Sequence, residues 1–413
     1  MDTTSLNLEA LAAAHRTPFY VYDMDAAAAH TRRLRALLPD FVDLLYCAKA
    51  NANKLVLGSF RPEVHGLDIS SAGELDLAVA VGWSPAVMSF AGPGKNEDEL
   101  ERAVRAGVRI VSVESPTELR RAAKIVNSYG GKPLGITLRI NPSSAPKEFP
   151  MKMGGLPSQF GVPEEDAEEV MAEALRTEGI HVLGVHIYSG TNSLEARAIV
   201  ENAQQTCAIA ARLADKFDKT WEVVNLGGGF GVPYFPGQVA MDMEALAASL
   251  TTALREFRDA HPRFAQTRFL LELGRFLIAE YGAYVTRVVD VKETRGKRFA
   301  ILDGGMHHCF PATGNFGQVI KKNYPIHNAT RPDAEKQVQD LVGPLCTPID
   351  SMARAIELPR AEIDDLVVFD RCGAYSFAAS PILFLSHDTP PELVRHDGKV
   401  VLVRERRPAS FFQ

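Results

Sequence analysis

Residues 44–54 read LLYCAKANANK, an apolar run that stops at Lys49. A short, continuous apolar run is typical of a strand that is buried on both faces. The small residues Ala48 and Ala50 flank the lysine and leave room beside it for a flat group. A lysine at the end of such a strand either extends into solvent or lies in a partly desolvated pocket. In such a pocket its amine can react with a carbonyl group.

Seven more apolar runs follow this one, and each ends in small or polar residues. The eight candidate strands cover residues 44–49, 66–71, 87–92, 110–115, 135–141, 182–189, 222–229 and 269–275. The segments between them have the spacing of amphipathic helices, with Gly or Asn near their ends. Eight strands alternating with helices over roughly 250 residues favour an α/β fold of the (β/α)8, TIM-like barrel type. The same alternation also permits an open doubly wound sheet.

The pattern changes after residue 275. The later runs alternate between apolar and polar residues, with turn signals between them, as antiparallel strands do. We therefore expect a barrel over residues 25–275 and a mainly antiparallel β-barrel or sandwich domain over residues 276–413. The early strand-like run PFYVYD (18–23) lies in an N-terminal segment, residues 1–24, that we expect to pair with this second domain.

Composition excludes several classes of protein. The 413 residues carry a net charge of −6 and no basic tract, so nucleic acid is not an expected partner. No apolar run approaches the roughly 20 residues that span a bilayer, and no secretory signal is evident. The five cysteines are odd in number and lie outside any CxxC pair. We therefore expect neither a disulfide framework nor a metal site, and a reducing cytoplasm is the simplest compartment.

Polar residues cluster at the predicted carboxyl ends of the strands, where barrels of this type build their active sites. Gly227–Gly229 follow an apolar strand, and their N–H groups either cradle a phosphate or form only a tight turn. Ser189, at the end of the preceding strand, would add a hydroxyl to a phosphate site.

Two further positions permit both a functional and a structural interpretation. Glu272 either keeps a pyridine nitrogen protonated or forms a buried ion pair with Arg275. His186 either stacks on a planar ring or is a hydrogen-bonded core residue. In the second domain, Cys346 is either a structural thiol or a proton donor, and Tyr375 either binds phosphate or belongs to the core.

These residues together resemble the fold-type III pyridoxal 5′-phosphate-dependent decarboxylases, the family of ornithine and diaminopimelate decarboxylases. The resemblance extends over nearly the whole chain. It rests on the following segments, which occur in the order of the family: YCAKAN, DISSAGEL, LRINP, QFGV, HIYSG, LGGGFG, ELGR, GPLC and GAY.

The resemblance implies a role for each matched position. Lys49 would be the Schiff-base lysine, and Cys346 the thiol that protonates the product carbanion from the second subunit of a homodimer with shared active sites. The residues that would bind the cofactor are Asp68 and Arg139 as a supporting polar pair, His186 on the ring, Glu272 at the ring nitrogen, and Ser189, Gly228, Gly229, Arg275 and Tyr375 at the phosphate.

The chain departs from ornithine and diaminopimelate decarboxylases at the distal end of the substrate. Those enzymes have an acidic residue just after the thiol, where this chain has Thr347. In the segment DGGMHHCFPATG, Phe310 replaces the arginine that holds the distal carboxylate of diaminopimelate. Neither a distal ammonium nor a distal carboxylate would find its usual partner.

Two segments resemble a subgroup of the family from secondary metabolism more than they resemble ornithine or diaminopimelate decarboxylases. They are FPMKMGGLPSQFGV and GPLCTP. One branch, the butirosin-type and exosortase-associated decarboxylases, includes an enzyme that acts on a glutamyl group tethered to an acyl carrier protein. Another acts on a citryl conjugate in siderophore pathways. We therefore expect α-decarboxylation of an amino acid with a conjugated distal end. Three alternatives remain: decarboxylation of a free basic amino acid such as diaminopimelate, an alanine-racemase-like reaction, and a non-catalytic protein that binds pyridoxal phosphate. Glu272 argues against the racemase. The presence of both Lys49 and Cys346 argues against the non-catalytic protein.

Overall fold

The computed structural model describes residue 3, residues 6–316 and residues 321–412, without the side chains of residues 151 and 152. Its strands are β1 Phe19–Asp23, β2 Val42–Cys47, β3 Gly66–Ile69, β4 Met88–Phe90, β5 Ile110–Val113, β6 Leu134–Asn141, β7 Met151–Lys152, β8 Val162–Pro163, β9 Ile180–His186, β10 Gly190–Thr191, β11 Val223–Asn225, β12 Arg268–Leu273, β13 Gly282–Thr294, β14 Lys297–Leu302, β15 Ile326–Asn328, β16 Lys336–Val342, β17 Ser351–Pro359, β18 Leu366–Phe369, β19 Glu392–His396 and β20 Lys399–Arg404.

Helices separate the strands of the first two thirds of the chain. The α-helices are α1 Leu8–His15, α2 Met24–Leu37, α3 Lys54–Phe60, α4 Ala72–Ala80, α5 Glu97–Ala106, α6 Pro116–Tyr129, α7 Ala167–Arg176, α8 Ala196–Phe217, α9 Met243–Ala260 and α10 Arg275–Ile278. Short 3-10 helices cover Ala48–Ala50, Pro85–Val87, Glu164–Asp166, Pro262–Phe264, Ala279–Tyr281, Phe310–Thr313, Phe384–Ser386 and Ala409–Phe412.

The chain divides into two compact units. The barrel unit comprises His30–Val232 and Val239–Leu277, and the β unit comprises Met1–Ala29, Pro233–Gln238 and Ile278–Gln413. The short segment Pro233–Gln238, which the sequence pattern placed in the barrel, groups with the β unit.

In the barrel unit, eight parallel strands form a closed cylinder in the order β5, β4, β3, β2, β12, β11, β9 and β6. Pairing between β5 and β6 closes it, with Val111 opposite Ile136 and Val113 opposite Leu138. The predicted (β/α)8 barrel is therefore confirmed, and closure excludes the open doubly wound sheet. All eight predicted strands are present, with ends that differ by a few residues from the expected ones.

Capping residues start the barrel helices directly after the strands. The side chains of Ser71 and Ser115 accept from the backbone N–H three residues later and begin α4 and α6. Asn96 and Glu99 form a reciprocal capping box at the start of α5. These caps end each strand at a fixed point, so that the side chains at the strand ends face one opening, here called the barrel mouth.

The barrel interior changes from apolar to polar along its axis. A buried layer contains Leu45, Ile110, Leu183, Val223 and Leu270. Burying each such side chain stabilises the fold by about 1.5–3 kcal/mol. Because this layer supplies the packing, the strand ends at the mouth are free to carry polar groups.

The β unit is built on a sheet in the order β17, β16, β14, β13, β1, β19 and β20, and β18 joins β13 to β15. Most of its pairings are antiparallel, as predicted, whereas β1–β19 and β14–β16 are parallel. Strand β1 lies between β13 and β19. Its residues Phe19 and Val21 enter a core with Val285, Val368 and Leu393.

Candidate active site at the barrel mouth

Lys49 lies on a 3-10 turn that directly follows β2. Its side chain is 41% exposed, and its Nζ lies 3.3 Å from Oδ2 of Asp68, which is fully buried on β3. Ala50 is buried, and a Cβ added to Gly274 at the end of β12 would lie 2.8 Å from the Ala50 Cβ. Ala50 therefore packs closely against Gly274, and the suggestion that it leaves space for a flat group stays a prediction. The lysine amine remains accessible above this packed floor.

A chain of polar side chains crosses the barrel interior beneath the mouth. Ser112 Oγ lies 2.9 Å from both Thr137 Oγ1 and His186 Nδ1. On the other side of its ring, His186 Nε2 lies 3.4 Å from Glu272 Oε2. Asn225 Nδ2 donates to Glu272 Oε1 at 2.6 Å. All five residues are buried, so that the imidazole and the carboxylate are held in place before any ligand binds.

Two carboxyl groups at the mouth titrate far apart. Burial raises the pKa of Glu272, but His186, Lys49 and Asn225 outweigh it and lower that pKa to about 2. Burial, together with repulsion from Glu272, raises the pKa of Asp68 to about 7 despite its contact with Lys49. Environments that separate the pKa values of neighbouring carboxyl groups are a mark of acid–base sites. Glu272 is thus a permanent anion, and Asp68 titrates near neutrality.

Residues Gly227–Gly229, which follow β11, form a loop that we call the glycine cradle, and Ser189 follows β9. Gly227 and Gly229 have φ values of 66° and 88°, in the region that favours glycine. A Cβ on Gly228 would lie 1.9 Å from the Glu272 carbonyl oxygen, so no side chain fits there. The Ser189 Oγ is buried without a hydrogen-bond partner among the described residues. The N–H groups of Gly228 and Gly229 likewise have no hydrogen-bond acceptor in the described part of the chain. Unused buried donors around a glycine loop fit a phosphate group.

Arg139 and Asp68 do not form a pair with each other, contrary to one interpretation of the sequence. Arg139 Nη1 instead donates to Glu114 Oε1 at 2.8 Å, and both side chains are buried. Glu114 also accepts from the backbone N–H of Gly92 at 2.9 Å and of Gly161 at 3.0 Å. Glu114 therefore ties together the loops that follow β4 and β6 and fixes the guanidinium of Arg139 at the mouth.

The structure shows functional neighbours that the sequence interpretation missed. Ser112, Thr137 and Asn225 are polar residues inside otherwise apolar strands, a signal that was available in the runs IVSV, GITLRIN and EVVN. Phe149 gave no such signal. It is buried, and a Cβ on Gly190 would lie 2.5 Å from its ring, so it supports the glycine cradle from behind.

Arg275 begins α10 in the barrel unit, and the other remaining predicted residues lie in the β unit. Cys346 is exposed on a loop whose shape is set by Asp350. The Asp350 carboxylate accepts from the N–H of Leu345 at 2.9 Å and of Met306 at 2.6 Å. The loop that carries Cys346 and Thr347 is thereby joined to the segment that leads to Phe310.

Phe310 begins a 3-10 turn, and its N–H donates to Ser380 Oγ at 2.8 Å. Tyr375 has a φ of 61°, an uncommon backbone conformation for a residue other than glycine. Such backbone strain is found most often at functional sites. The roles predicted for Phe310 and Tyr375 stay predictions.

A lysine, a phosphate cradle and a permanent carboxylate at the mouth of a (β/α)8 barrel define a pyridoxal-phosphate type of site. The family described as pyridoxal-dependent decarboxylase, pyridoxal binding domain, matches residues 25–279. The chain belongs to this family. It is an amino-acid carboxy-lyase that uses pyridoxal 5′-phosphate.

Two relatives are similar over nearly their whole length. The L-glutamyl-[BtrI acyl-carrier protein] decarboxylase of Niallia circulans is 35% identical, covering 99% of this chain and 96% of the relative. The 2-[(L-alanin-3-ylcarbamoyl)methyl]-2-hydroxybutanedioate decarboxylase of Staphylococcus aureus is 31% identical, covering 92% and 94%.

Among solved structures, diaminopimelate decarboxylase from Helicobacter pylori complexed with L-lysine is 28% identical, with a TM-score of 0.87 and 98% of each chain covered. No helix in the described residues combines the length and apolarity needed to cross a membrane.

Proposed function

We propose that this enzyme removes the α-carboxylate of an amino acid whose distal end is conjugated to a larger acyl group. The two relatives named above act on such substrates, one attached to an acyl-carrier protein and one extended by a hydroxybutanedioate. Thr347 and Phe310 are uncharged, so that neither offers a counter-charge to a free distal ammonium or carboxylate.

The residues at the barrel mouth fit the cofactor group by group. Lys49 supplies the amine to which it attaches, and Ser189 with the glycine cradle would hold its phosphate. His186 presents a fixed ring face. When bound, pyridoxal 5′-phosphate supplies an electron sink for the electron pair that is left when the Cα–carboxylate bond breaks. The observation that carries this assignment is the buried Glu272 carboxylate, held between His186 and Asn225, which would keep the ring nitrogen of the cofactor protonated.

The other residues at the mouth bind and orient. Glu114 holds Arg139 by a buried, charge-assisted hydrogen bond, so the guanidinium keeps one orientation without a ligand. Asp68 accepts a hydrogen bond from the Lys49 amine at 3.3 Å and orients it. We further propose that Arg275 and Tyr375 contact the phosphate and that Cys346 returns a proton to Cα after carbon dioxide leaves. The exposure of Cys346 supports a thiol that acts outside its own loop.

The substrate class is tested by carbon dioxide release from the purified, cofactor-loaded enzyme. Three substrates are compared: free diaminopimelate, a glutamyl thioester of an acyl carrier protein, and a citryl-diaminopropionate conjugate. We expect one of the conjugates to be turned over at least about tenfold faster than diaminopimelate, as the uncharged distal segments imply. Fast turnover of diaminopimelate would instead establish the alternative, a decarboxylase of free basic amino acids.

We also propose a homodimer in which Cys346 completes the site of the partner subunit. Mixing Lys49→Ala protein with Cys346→Ala protein tests this proposal. Each variant alone is expected to be inactive, and the mixture should recover about a quarter of wild-type activity, because one of the four combined sites is intact in a random mixture of subunits. Absence of recovery, with subunit exchange verified by a tagged copy, contradicts the shared site.

A reducing cytoplasm is our proposal for the compartment. The buried sulfur atoms of Cys309 and Cys372 lie 3.8 Å apart as free thiols, which suits a compartment that does not oxidise them. Fractionation of cells that express the tagged protein, followed by thiol labelling of the denatured chain, tests the location and the redox state together.

A further inference from the structure

A cavity of about 350 Å³ lies within the β unit, and its charge is distinctive. Among the described residues, its lining contains Lys321, Lys322 and Arg354 but no carboxylate, although the chain as a whole is acidic. Neither Lys321 nor Arg354 forms an ion pair with any described carboxylate; Lys321 Nζ donates to Asn315 Oδ1, and Arg354 Nε donates to Ser351 Oγ at 3.1 Å. The volume is within the usual range for small-ligand sites. We call this space the anion cavity.

The position of Arg354 is fixed by its backbone. Strand β17 has one extra residue opposite β16, so that Arg354 and Ala355 together face Asp340. Ala355 has a φ of 45°, and its N–H donates to Asp340 Oδ1 at 2.7 Å. A bulge of this kind redirects the side chain that it carries. The guanidinium of Arg354 lies at the cavity lining as a result.

The lysine side of the anion cavity is attached to the arginine side. Asn323 Nδ2 donates to the Arg354 carbonyl oxygen at 2.8 Å, and the Arg354 N–H donates to Asn323 Oδ1 at 3.0 Å. The Lys322 Nζ lies 5.6 Å from the centre of the Phe235 ring, which lines the same space. These contacts hold three cations around one space and offset the cost of bringing like charges together only in part.

The two segments that we assign to the distal end of the substrate lead directly into this cavity. Phe310 begins the 3-10 turn that ends at Thr313, a lining residue. Thr347 lies on the turn before β17, whose first residue, Ser351, also lines the space. Under the proposed function, the distal end of a conjugate would therefore lie near segments that continue to a region of positive charge.

We infer that the anion cavity binds a negatively charged group on the distal part of the conjugated substrate. This inference rests on the proposed substrate class. Two sources share the required chemistry: the phosphodiester of a carrier-protein arm, and the carboxylates of a polycarboxylate such as a citryl group. In both cases Lys321 and Arg354 supply the charge, and the Ser351 hydroxyl, which accepts from Arg354 Nε at 3.1 Å, can donate its own proton to the anion.

The test compares two doubly substituted holoenzymes of equal net charge. Lys321→Ala/Arg354→Ala removes charge from the anion cavity. Lys336→Ala/Lys399→Ala removes two exposed lysines from the same unit, at the starts of β16 and β20, and is the control. Binding of citrate and of 4′-phosphopantetheine to each holoenzyme is measured by calorimetry.

We expect at least one probe to bind the wild-type and control proteins about tenfold more tightly than the cavity variant, as for the loss of a charge-assisted hydrogen bond. Preference for phosphopantetheine assigns the cavity to a carrier arm, and preference for citrate assigns it to a polycarboxylate. If both probes bind all three proteins equally, or bind none, the inference is overturned.

Kinetics separate this inference from the proposed function. With a conjugate that is turned over, the cavity variant should show a KM about tenfold higher and a kcat within about twofold of wild type, and added salt should raise the wild-type KM. If no conjugate is turned over but a probe discriminates between the variants, the proposed substrate class fails and the anion-binding cavity stands. An unchanged KM for a good conjugate overturns the link between the cavity and the substrate.

Discussion

The barrel mouth and the loops of the β unit hold their polar side chains by different means. At the mouth, the side chains of Arg139, His186 and Glu272 are at most 8% exposed, and each contacts another side chain. In the β unit, Cys346 on its loop and Arg354 at the bulge of β17 are exposed, and hydrogen bonds from backbone N–H groups to the side chains of Asp350 and Asn323 fix these segments. Substituting a buried residue of a hydrogen-bonded network leaves its partners unsatisfied and destabilises the site. An exposed side chain can be substituted without breaking the hydrogen bonds that hold its backbone. Under the proposed function, the barrel mouth would hold the cofactor in a fixed geometry, and the β unit would contribute the proton donor Cys346 and the residues that select the substrate.

The strongest test of this division is Lys49→Ala. Loss of the amine should reduce activity by at least about 10⁴-fold, within the range seen when an enzyme loses its nucleophile. Lys54, an exposed residue at the start of α3, offers a matched control, and Lys54→Ala should leave the rate unchanged. Carbon dioxide release measures the rate, and absorbance of the bound cofactor shows whether it is attached. Residual activity near that of wild type would exclude Lys49 from the reaction.

Glu272→Gln should have the second largest effect, because it removes the buried charge and retains the shape. We expect a loss of about 10²–10³-fold in kcat, comparable to the loss of one electrostatic stabiliser. The pKa of about 2 means that Glu272 does not titrate in the assay range, whereas Asp68, with a pKa of about 7, does. The rate dependence centred near pH 7 should thus move to lower pH in Glu272→Gln, because the repulsion that helps to raise the pKa of Asp68 is lost, and it should disappear in Asp68→Asn.

Asp43→Asn is the control for this pair of variants. Asp43 lies on β2 and pairs with Arg268, at the start of β12. It should alter stability without altering the rate per folded enzyme. An unchanged kcat in Glu272→Gln would contradict the role of the buried anion.

Ser112→Ala addresses the support of the ring-facing histidine. The Ser112 hydroxyl contacts His186 Nδ1, so its loss should free the imidazole to adopt another tautomer or tilt. We expect kcat to fall by about tenfold, a loss typical of second-layer partners, with KM nearly constant. Nitrogen NMR of the His186 ring in the cofactor-free protein reports the tautomer independently of activity.

Ser89→Ala is the matched control for Ser112→Ala. Ser89 lies on β4, and its buried hydroxyl has no hydrogen-bond partner among the described residues. Its removal should change neither the NMR signal nor kcat. Equal behaviour of the two serine variants would show that Ser112 has no positioning role.

Sequence patterns predicted the barrel because each strand is bounded by signals on the strand itself, such as LLYCAK and its terminal lysine. They also identified Lys49, Glu272 and the glycine cradle, which lie at strand ends. Patterns could not show that Arg139 pairs with Glu114, since the two residues are 25 positions apart and meet only when β5 and β6 pair. Asp350 was missed for the same reason: its role comes from accepting two backbone N–H groups of separate loops.

The smallest expected effect is on stability. The contributions of the two regions to the free energy of unfolding change with pH in opposite directions. In the β unit, burial and the neighbouring His387 lower the pKa of His307 to about 3, and both ring nitrogens lack a hydrogen-bond partner among the described residues. Between pH 6.5 and 3, His307 is therefore protonated in the unfolded chain but neutral in the folded protein. The free energy of unfolding consequently falls as the pH falls. Asp68 behaves oppositely, because its raised pKa makes the folded barrel lose stability as the pH rises from about 4 to 7.

His307→Leu should remove the acid-sensitive contribution. At pH 5 one such histidine costs at most about 2 kcal/mol, from 1.36 kcal/mol per pKa unit. Melting temperatures of the wild-type and variant proteins are measured between pH 8 and pH 5. Between these pH values the melting temperature of the wild type should fall by a few degrees more than that of the variant. His181→Leu, at an exposed position of the barrel unit, is the control and should follow wild type at every pH. Parallel curves for His307→Leu and wild type would mean that the buried ring is protonated equally in both states, and the proposed difference in sign between the two regions would then be wrong.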